Sequence, residues 1–415
     1  MPNQSEIDRN ALIFDWNRAG ESFAPGRRVE MDDETLRDGL QSPSVTHPSI
    51  QEKQELLVLM DSLGIDTADV GLPGAGPRAV EDATALAAFI RDRRLAIRPN
   101  CAGRTVLRDV EPIARISQKV GIPIEAALFI GSSPIRQYSE NWSLETLLRR
   151  TREAVTFAVR EGLPVMYVTE DTTRTHPDTV RALYSAAIEC GAGRICVCDT
   201  VGHVMPEGVE RLMRFVREIV AELGAPVKVD WHGHRDRGLE LINTLAAIRA
   251  GADRVHGCAL GVGERAGNTP MELVLLNLKM LGWIDRDLTR LREYCEKAAR
   301  ALNVAVPRSH PVVGSDAFVT GTGVHAAAVI KAFRKEDRWL ADRVYSGVPA
   351  GDFGMKQRIR IGPLSGRSNV TFWLEEHSVA PRPEVVDRIL AAAKQSNRLL
   401  EDQEIAALAR GDDNP

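Results

Sequence analysis

From Val29 to about residue 282, short apolar segments alternate with longer stretches whose apolar residues recur at helical spacing. The pattern predicts strands near 29–34, 67–71, 96–100, 124–130, 165–170, 194–199, 227–234 and 254–260. Helices are predicted near 49–63, 78–92, 106–120, 143–161, 177–190, 206–223, 239–250 and 270–281. The joints repeat a theme, as in Gly121-Ile122-Pro123, Gly224-Ala225-Pro226 and Gly251-Ala252-Asp253: a glycine closes the helix, a small or apolar residue follows, and the next strand begins. Eight such βα units in about 255 residues match the count and length of a (β/α)8 TIM barrel. A doubly wound open sheet gives no reason for eight evenly spaced units.

The pattern is less regular outside this region. Residues 1–28 read as a lead-in, 29–283 as the barrel, and 284–415 as a small, mainly helical C-terminal extension. Within the extension, helices are expected at 285–303, 326–333 and 383–410, with irregular glycine- and proline-rich chain at 345–368. This tail is expected to lack a second large core and to pack on a barrel, its own or a partner's.

The 415 residues are 44% hydrophobic and 27% charged, which is ordinary globular composition. A net charge of −4 with both signs interspersed points away from nucleic acid. No apolar run approaches the roughly 20 residues of a membrane helix, and 11–16 is too short for a signal-peptide core. The six cysteines form no C-x-x-C pair, so free thiols in a reducing cytoplasm are expected.

Polar residues capable of chemistry gather where the predicted strands end, and in a barrel those ends converge on one rim. His232 and His234 alternate on the seventh strand, so both imidazoles share a face, their bases roughly 7 Å apart, and can reach one metal ion. Arg37 and Asp38 stand at the end of the first strand. Two histidines and a carboxylate leave coordination positions open for a chelating substrate, and an arginine beside them would stabilise an anion formed when a carbonyl is attacked. The same ligand set serves non-haem iron oxygenases, but eight βα units count against that fold. His203, His256 and His310 are read as structural or surface residues.

Taken together and in this order, TLRDGLQSP (35–43), SSPIRQY (132–138), DTVGH (199–203), HGHRDRG (232–238), GVGERAGN (261–268) and GTGVHAAAVIK (321–331) resemble the DRE-TIM metallolyases. The closest resemblance is to the 2-isopropylmalate, homocitrate and citramalate synthases. It implies a divalent metal (Mg, Mn or Zn) bound by Asp38, His232 and His234, with Asn268 in or beside the coordination shell. It further implies acetyl-CoA as co-substrate and a 2-oxo acid, most simply 2-oxoisovalerate, held by Thr200 and Arg37. Glu170, His325 and Tyr345 would serve proton transfer, the last two from the neighbouring copy of a homodimer. The turn that holds Gly261 and Gly263 would lie against substrate and the CoA arm, with Glu264 ordering it.

A homocitrate or citramalate synthase acting on a different 2-oxo acid is one alternative, and Leu40, which departs from the synthase pattern and matches the acyl-CoA lyases, keeps a hydroxymethylglutaryl-CoA-type lyase as another. Those lyases carry a catalytic cysteine in the loop after strand eight, where this chain has Gly263-Glu264-Arg265. No leucine-binding regulatory domain is expected, because the chain ends at Pro415.

Overall fold

The computed structural model describes residues 8–18 and 26–411. The parts of the expected lead-in at 1–7 and 19–25 lie outside the described residues. Strands and helices then alternate: β1 (Glu30–Asp33), α1 (Ile50–Ser62), β2 (Thr67–Asp69), α2 (Pro77–Arg93), β3 (Arg98–Arg104), α3 (Leu107–Val120) and β4 (Glu125–Gly131). A short α4 (Pro134–Glu140), which the hydrophobic pattern does not announce, precedes α5 (Leu144–Arg160). There follow β5 (Val165–Glu170), α6 (Pro177–Glu189), β6 (Arg194–Asp199), α7 (Pro206–Leu223), β7 (Lys228–Gly233), α8 (Glu240–Ala250), β8 (Arg254–Gly257) and α9 (Met271–Met280).

The eight strands pair in parallel in chain order, and β8 closes back onto β1 with Asp32 opposite His256. The fold is the (β/α)8 barrel that the periodicity predicts. Two of the joints show why: α3 and α7 end on Gly121 and Gly224 in the left-handed conformation, which a glycine adopts without Cβ strain. β3 begins two residues later than expected and runs to Arg104, and β8 stops at Gly257, short of the expected 260.

Strand alternation sends every second side chain into the barrel. Where layers of aliphatic residues are usual, this interior carries ions. Arg254, 1% exposed, donates from Nε to Asp230 (2.7 Å) and from a terminal nitrogen to Glu125 (2.6 Å). Arg194 pairs with the other oxygen of Asp230 (2.6 Å) and with Glu30 (2.7 Å). Asp32 accepts from Asn100 (2.7 Å) and from the Thr67 hydroxyl.

Contacts divide the chain into two compact units, Met1–Arg286 with Lys297–Val304, and Asp287–Glu296 with Ala305–Pro415. The division falls inside α10 (Leu291–Leu302), which starts later than the expected 285. The second unit holds β9 (Val319–Thr320), α11 (Gly323–Arg334), α12 (Arg338–Ala341), β10 (Arg358–Ile359), α13 (Arg367–Glu376), α14 (Pro383–Gln395) and α15 (Asp402–Arg410). It has a small apolar core of its own, with Val370, Trp373, Leu374, Val386, Ile389 and Ile405 at its heart. The single helix expected over 383–410 is two. The chain turns extended at Ser396, and Leu400 N–H reaches the Ile361 carbonyl (2.8 Å), which carries Leu400 into that core.

Among the described residues, no helix is long and apolar enough to cross a membrane. Ile389 is fully buried in the second unit's core. Ile389→Ala should therefore lower unfolding stability by about 2–5 kcal/mol in urea titrations. A loss well below about 1 kcal/mol would mean that this cluster is not a close-packed core.

Candidate active site

Alternation along β7 turns Asp230, His232 and His234 toward the barrel interior and leaves Val229 and Trp231 packed outward. The two imidazole rings lie edge to face with centroids 4.9 Å apart. From the turn after β1, Asp38 brings Oδ2 to 3.9 Å from His232 Nε2 and 3.8 Å from His234 Nε2. Asn268 forms an isolated bridge with His234, and its Nδ2 donates to the same Asp38 oxygen (2.5 Å). The four residues expected at a metal thus meet, although they span 230 positions of sequence.

Arg37 is surrounded by acids: Nε is 2.7 Å from Asp69, and its terminal nitrogens are 2.9 Å from Glu34 and from Asp38. One guanidinium cannot neutralise three buried carboxylates. Burial and the neighbouring acids push Asp69 up to about 7, while Glu34, facing His232, His256 and Arg37, is held well below the usual carboxylate range. His256, read from sequence as structural or surface, is buried among these groups. Its Nδ1 is 3.1 Å from Glu34 and its Nε2 3.2 Å from Asp230. Two flanking carboxylates raise its basicity well above the ordinary histidine value despite burial.

The donor set suits a divalent ion. Asp38, His232 and His234 offer ligand atoms within 4.8 Å of one another, all buried. Burial and the neighbouring His232 lower His234 to about 4, so its lone pair stays available at neutral pH. Asn268 Oδ1 and His234 Nδ1 are buried with no hydrogen-bond partner among the described residues, polar atoms with unused capacity beside the same centre. A second group, Glu34, His232 and His256, is equally close. There His256 has both nitrogens committed to carboxylates, so it presents a cation where a ligand would need a lone pair.

These residues border a cavity of about 270 Å³ whose inner wall is apolar: Ala102, Ala127, Met166 and Val168, with the thiols of Cys196 and Cys198 3.8 Å apart. Glu170, at the end of β5, faces the cavity 4.0 Å from Arg136, and burial raises its pKa. Thr200 lines the cavity too. Its Oγ1 accepts from Asp171 N–H (2.8 Å), which leaves the hydroxyl proton available to a ligand.

The turn after β8 folds back on itself, with Asn268 N–H donating to the Gly261 carbonyl (3.0 Å). A Cβ at Gly263, whose φ is +157°, would lie 2.3 Å from Asn268 Nδ2, so only glycine lets the chain pass this close. Glu264 is exposed at the cavity edge; the carboxylate that fixes the turn is Glu272, which accepts from Leu260 N–H (2.9 Å). His325 and Tyr345 belong to the second unit, where their rings stack with centroids 4.2 Å apart. Sequence reading missed Glu34, Asp230, His256 and Arg254. The available signal was alternation from the recognised residues, which places Asp230 on the face of His232 and places Arg254 and His256 together on β8.

Comparison with known proteins bears on the family of the chain. The HMGL-like family model matches residues 28–296. A probable 2-isopropylmalate synthase of Methanopyrus kandleri is 34% identical over 371 residues, covering 89% of this chain and 70% of the relative. A homocitrate synthase of the same organism is 33% identical, covering 87% of this chain and 86% of the relative. Hydroxymethylglutaryl-CoA lyase from Pseudomonas aeruginosa superposes with a TM-score of 0.57 at 21% identity, over 67% of this chain and 94% of that one, a likeness of fold. The chain belongs to the HMGL-like family, the DRE-TIM barrels that its strand-end motifs resemble.

Proposed function

We propose that this protein is a transferase that condenses acetyl-CoA with an apolar 2-oxo acid, 2-oxoisovalerate first among them, giving 2-isopropylmalate and CoA. The observation that carries the reading is the meeting of Asp38, His232 and His234 beside Arg37, over an apolar wall of Ala102, Ala127, Met166 and Val168. A divalent ion, when bound there, supplies Lewis acidity to the keto carbonyl.

Thr200 donates to the substrate carboxylate. Glu170 takes a methyl proton from acetyl-CoA, and the resulting carbon attacks the keto carbon while Arg37 faces the oxygen that becomes alkoxide. Protonation of that oxygen, followed by attack of water on the thioester, releases the CoA thiol. His325 and Tyr345 are assigned to proton transfer in the site of a second copy.

The apolar wall favours a hydrocarbon side chain. A distal carboxylate, as in 2-oxoglutarate, would need a cation there, and His256 is already held between Glu34 and Asp230. The lyase alternative needs a reactive thiol near the β8 turn. Cys258 is fully buried, 3.3 Å from Asn268 Nδ2, and burial lifts its pKa well above the usual thiol value.

With Mn2+ or Mg2+, acetyl-CoA and a panel of 2-oxo acids, free thiol should appear fastest with 2-oxoisovalerate. Release with 2-oxoglutarate alone would reassign the substrate. Absence of release with every oxo acid, together with cleavage of hydroxymethylglutaryl-CoA, would replace the synthase by the lyase.

His234→Ala should abolish turnover and weaken Mn2+ binding measured by calorimetry. His325→Ala should lower kcat with Mn2+ affinity unchanged. Mixing the two impaired variants should raise thiol release above that of either alone if each copy completes the other's site. No recovery on subunit exchange would remove His325 from the partner-site role.

Glu170 must be ionised to act as a base, and burial raises its pKa. Activity should therefore rise with pH through a value above that of an ordinary glutamate. A kcat profile that is already flat across that region would exclude Glu170 as the base.

A further inference from the structure

Glu34 touches no residue expected to bind the 2-oxo acid except Arg37, yet it is 2% exposed and faces three basic groups at once. Its Oε2 lies 2.7 Å from His232 Nδ1. Its Oε1 lies 2.9 Å from an Arg37 terminal nitrogen and 3.1 Å from His256 Nδ1. The third of these partners is itself fixed, because His256 Nε2 reaches Asp230 at 3.2 Å and Asp230 is held by Arg254 and Arg194. Glu34 cannot swing away without leaving a buried imidazole and a buried guanidinium each short of a partner.

A carboxylate this close to Nδ1 dictates where the His232 proton resides. A lone pair at Nδ1 would face a negatively charged oxygen, so the proton is on Nδ1 and the lone pair on Nε2. Nε2 is the atom directed at Asp38, 3.9 Å away. The neutral imidazole has two tautomers, and only this one offers its lone pair to the centre shared with Asp38 and His234. The other oxygen of the same carboxylate meets Arg37, whose second terminal nitrogen reaches Asp38. One side chain therefore sets both the electron pair of a metal-binding imidazole and the placement of the neighbouring guanidinium.

We propose that Glu34 is a positioning residue of this site, orienting His232 for a metal through Nδ1 and Arg37 through its second carboxylate oxygen. The inference rests on the metal-assisted reading above. Carboxylate partners of metal-bound histidines are generally worth 10–100-fold in metal affinity, so an effect of that order is expected here.

The test uses the full-length, metal-free protein and Glu34→Gln, with Mn2+ as the probe. Long-range 1H–15N spectra of histidine-labelled protein should show His232 protonated on Nδ1 in the unaltered protein, and a shift toward the Nε2-protonated form in the variant. Calorimetry should show Mn2+ bound about 10–100-fold more weakly by Glu34→Gln, with the circular dichroism melt confirming that it is folded. Mn2+ affinities within twofold of each other would overturn the inference and leave the metal reading standing. An unaltered protein that binds no Mn2+ would overturn both. Should Glu34→Gln not fold, the spectrum of the unaltered protein decides alone: a proton on His232 Nε2 refutes the assignment.

Discussion

The buried charge inside the barrel is the constraint on which the site depends. Arg254 and Arg194 grip the two oxygens of Asp230, Asp230 grips His256, His256 grips Glu34, and Glu34 meets both His232 and Arg37. Each of these charges has been taken out of water, and removing one partner from such a pair typically costs about 3–5 kcal/mol. The chain from Arg254 at one end of β8 to the rim residues is consequently a set of mutual obligations. The two paired arginines also keep Asp230 ionised, far below its ordinary range, despite complete burial. A hydrophobic interior would make the barrel easier to stabilise, but it would not hold two imidazoles and a guanidinium in fixed orientations at the mouth.

The cavity divides its work by strand. The turn after β1, β7 with its end, and the β8 turn supply the ionic side through Arg37, Asp38, His232, His234 and Arg265. β3, β4 and β5 supply the apolar side through Ala102, Ala127, Met166 and Val168. Such a two-faced cavity suits the proposed substrate, with adjacent oxygens at one end and hydrocarbon at the other. The surplus of acids over Arg37 has a chemical meaning as well. Burial and the neighbouring acids raise the proton affinity of Asp69, while Arg37 stays charged among Asp69, Asp38 and Glu34.

Most of the barrel was legible because two periodicities and a glycine joint suffice to count βα units, and the H-x-H pair was legible because a period of two puts His232 and His234 on one face. The interior ions were not, although the same alternation applies to them. Glu30 and Asp32 alternate on β1 with Glu34 just past its end, Arg254 and His256 alternate on β8, and charged residues inside a barrel run against the expectation of aliphatic layers. The break between α14 and α15 escaped notice for a different reason. Helical spacing continues across it, and only the tertiary bond from Leu400 to Ile361 makes the extended turn worthwhile. His325 and Tyr345 are adjacent in space through a ring stack that no local pattern announces.

A barrel of this kind can be used to make or to break a carbon–carbon bond, so likeness of fold to lyases does not choose the direction. The choice lies in the groups around the shared acid, imidazole and arginine set. Beside the β8 turn, Asn268 turns its amide to both Asp38 and Cys258, which places the thiol behind the coordinating residues. The glycines at 261 and 263 hold it there, since a side chain at either would collide with Arg235 or with Asn268 itself. A thiol so placed, fully buried and with burial opposing its ionisation, is a poor acid or base for a thioester passing the mouth. Glu170, by contrast, opens onto the cavity with its proton affinity raised, the property a base needs for a weakly acidic methyl group. The asymmetry between a sequestered thiol and a presented carboxylate is the physical argument that favours the proposed condensation over the lyase reading.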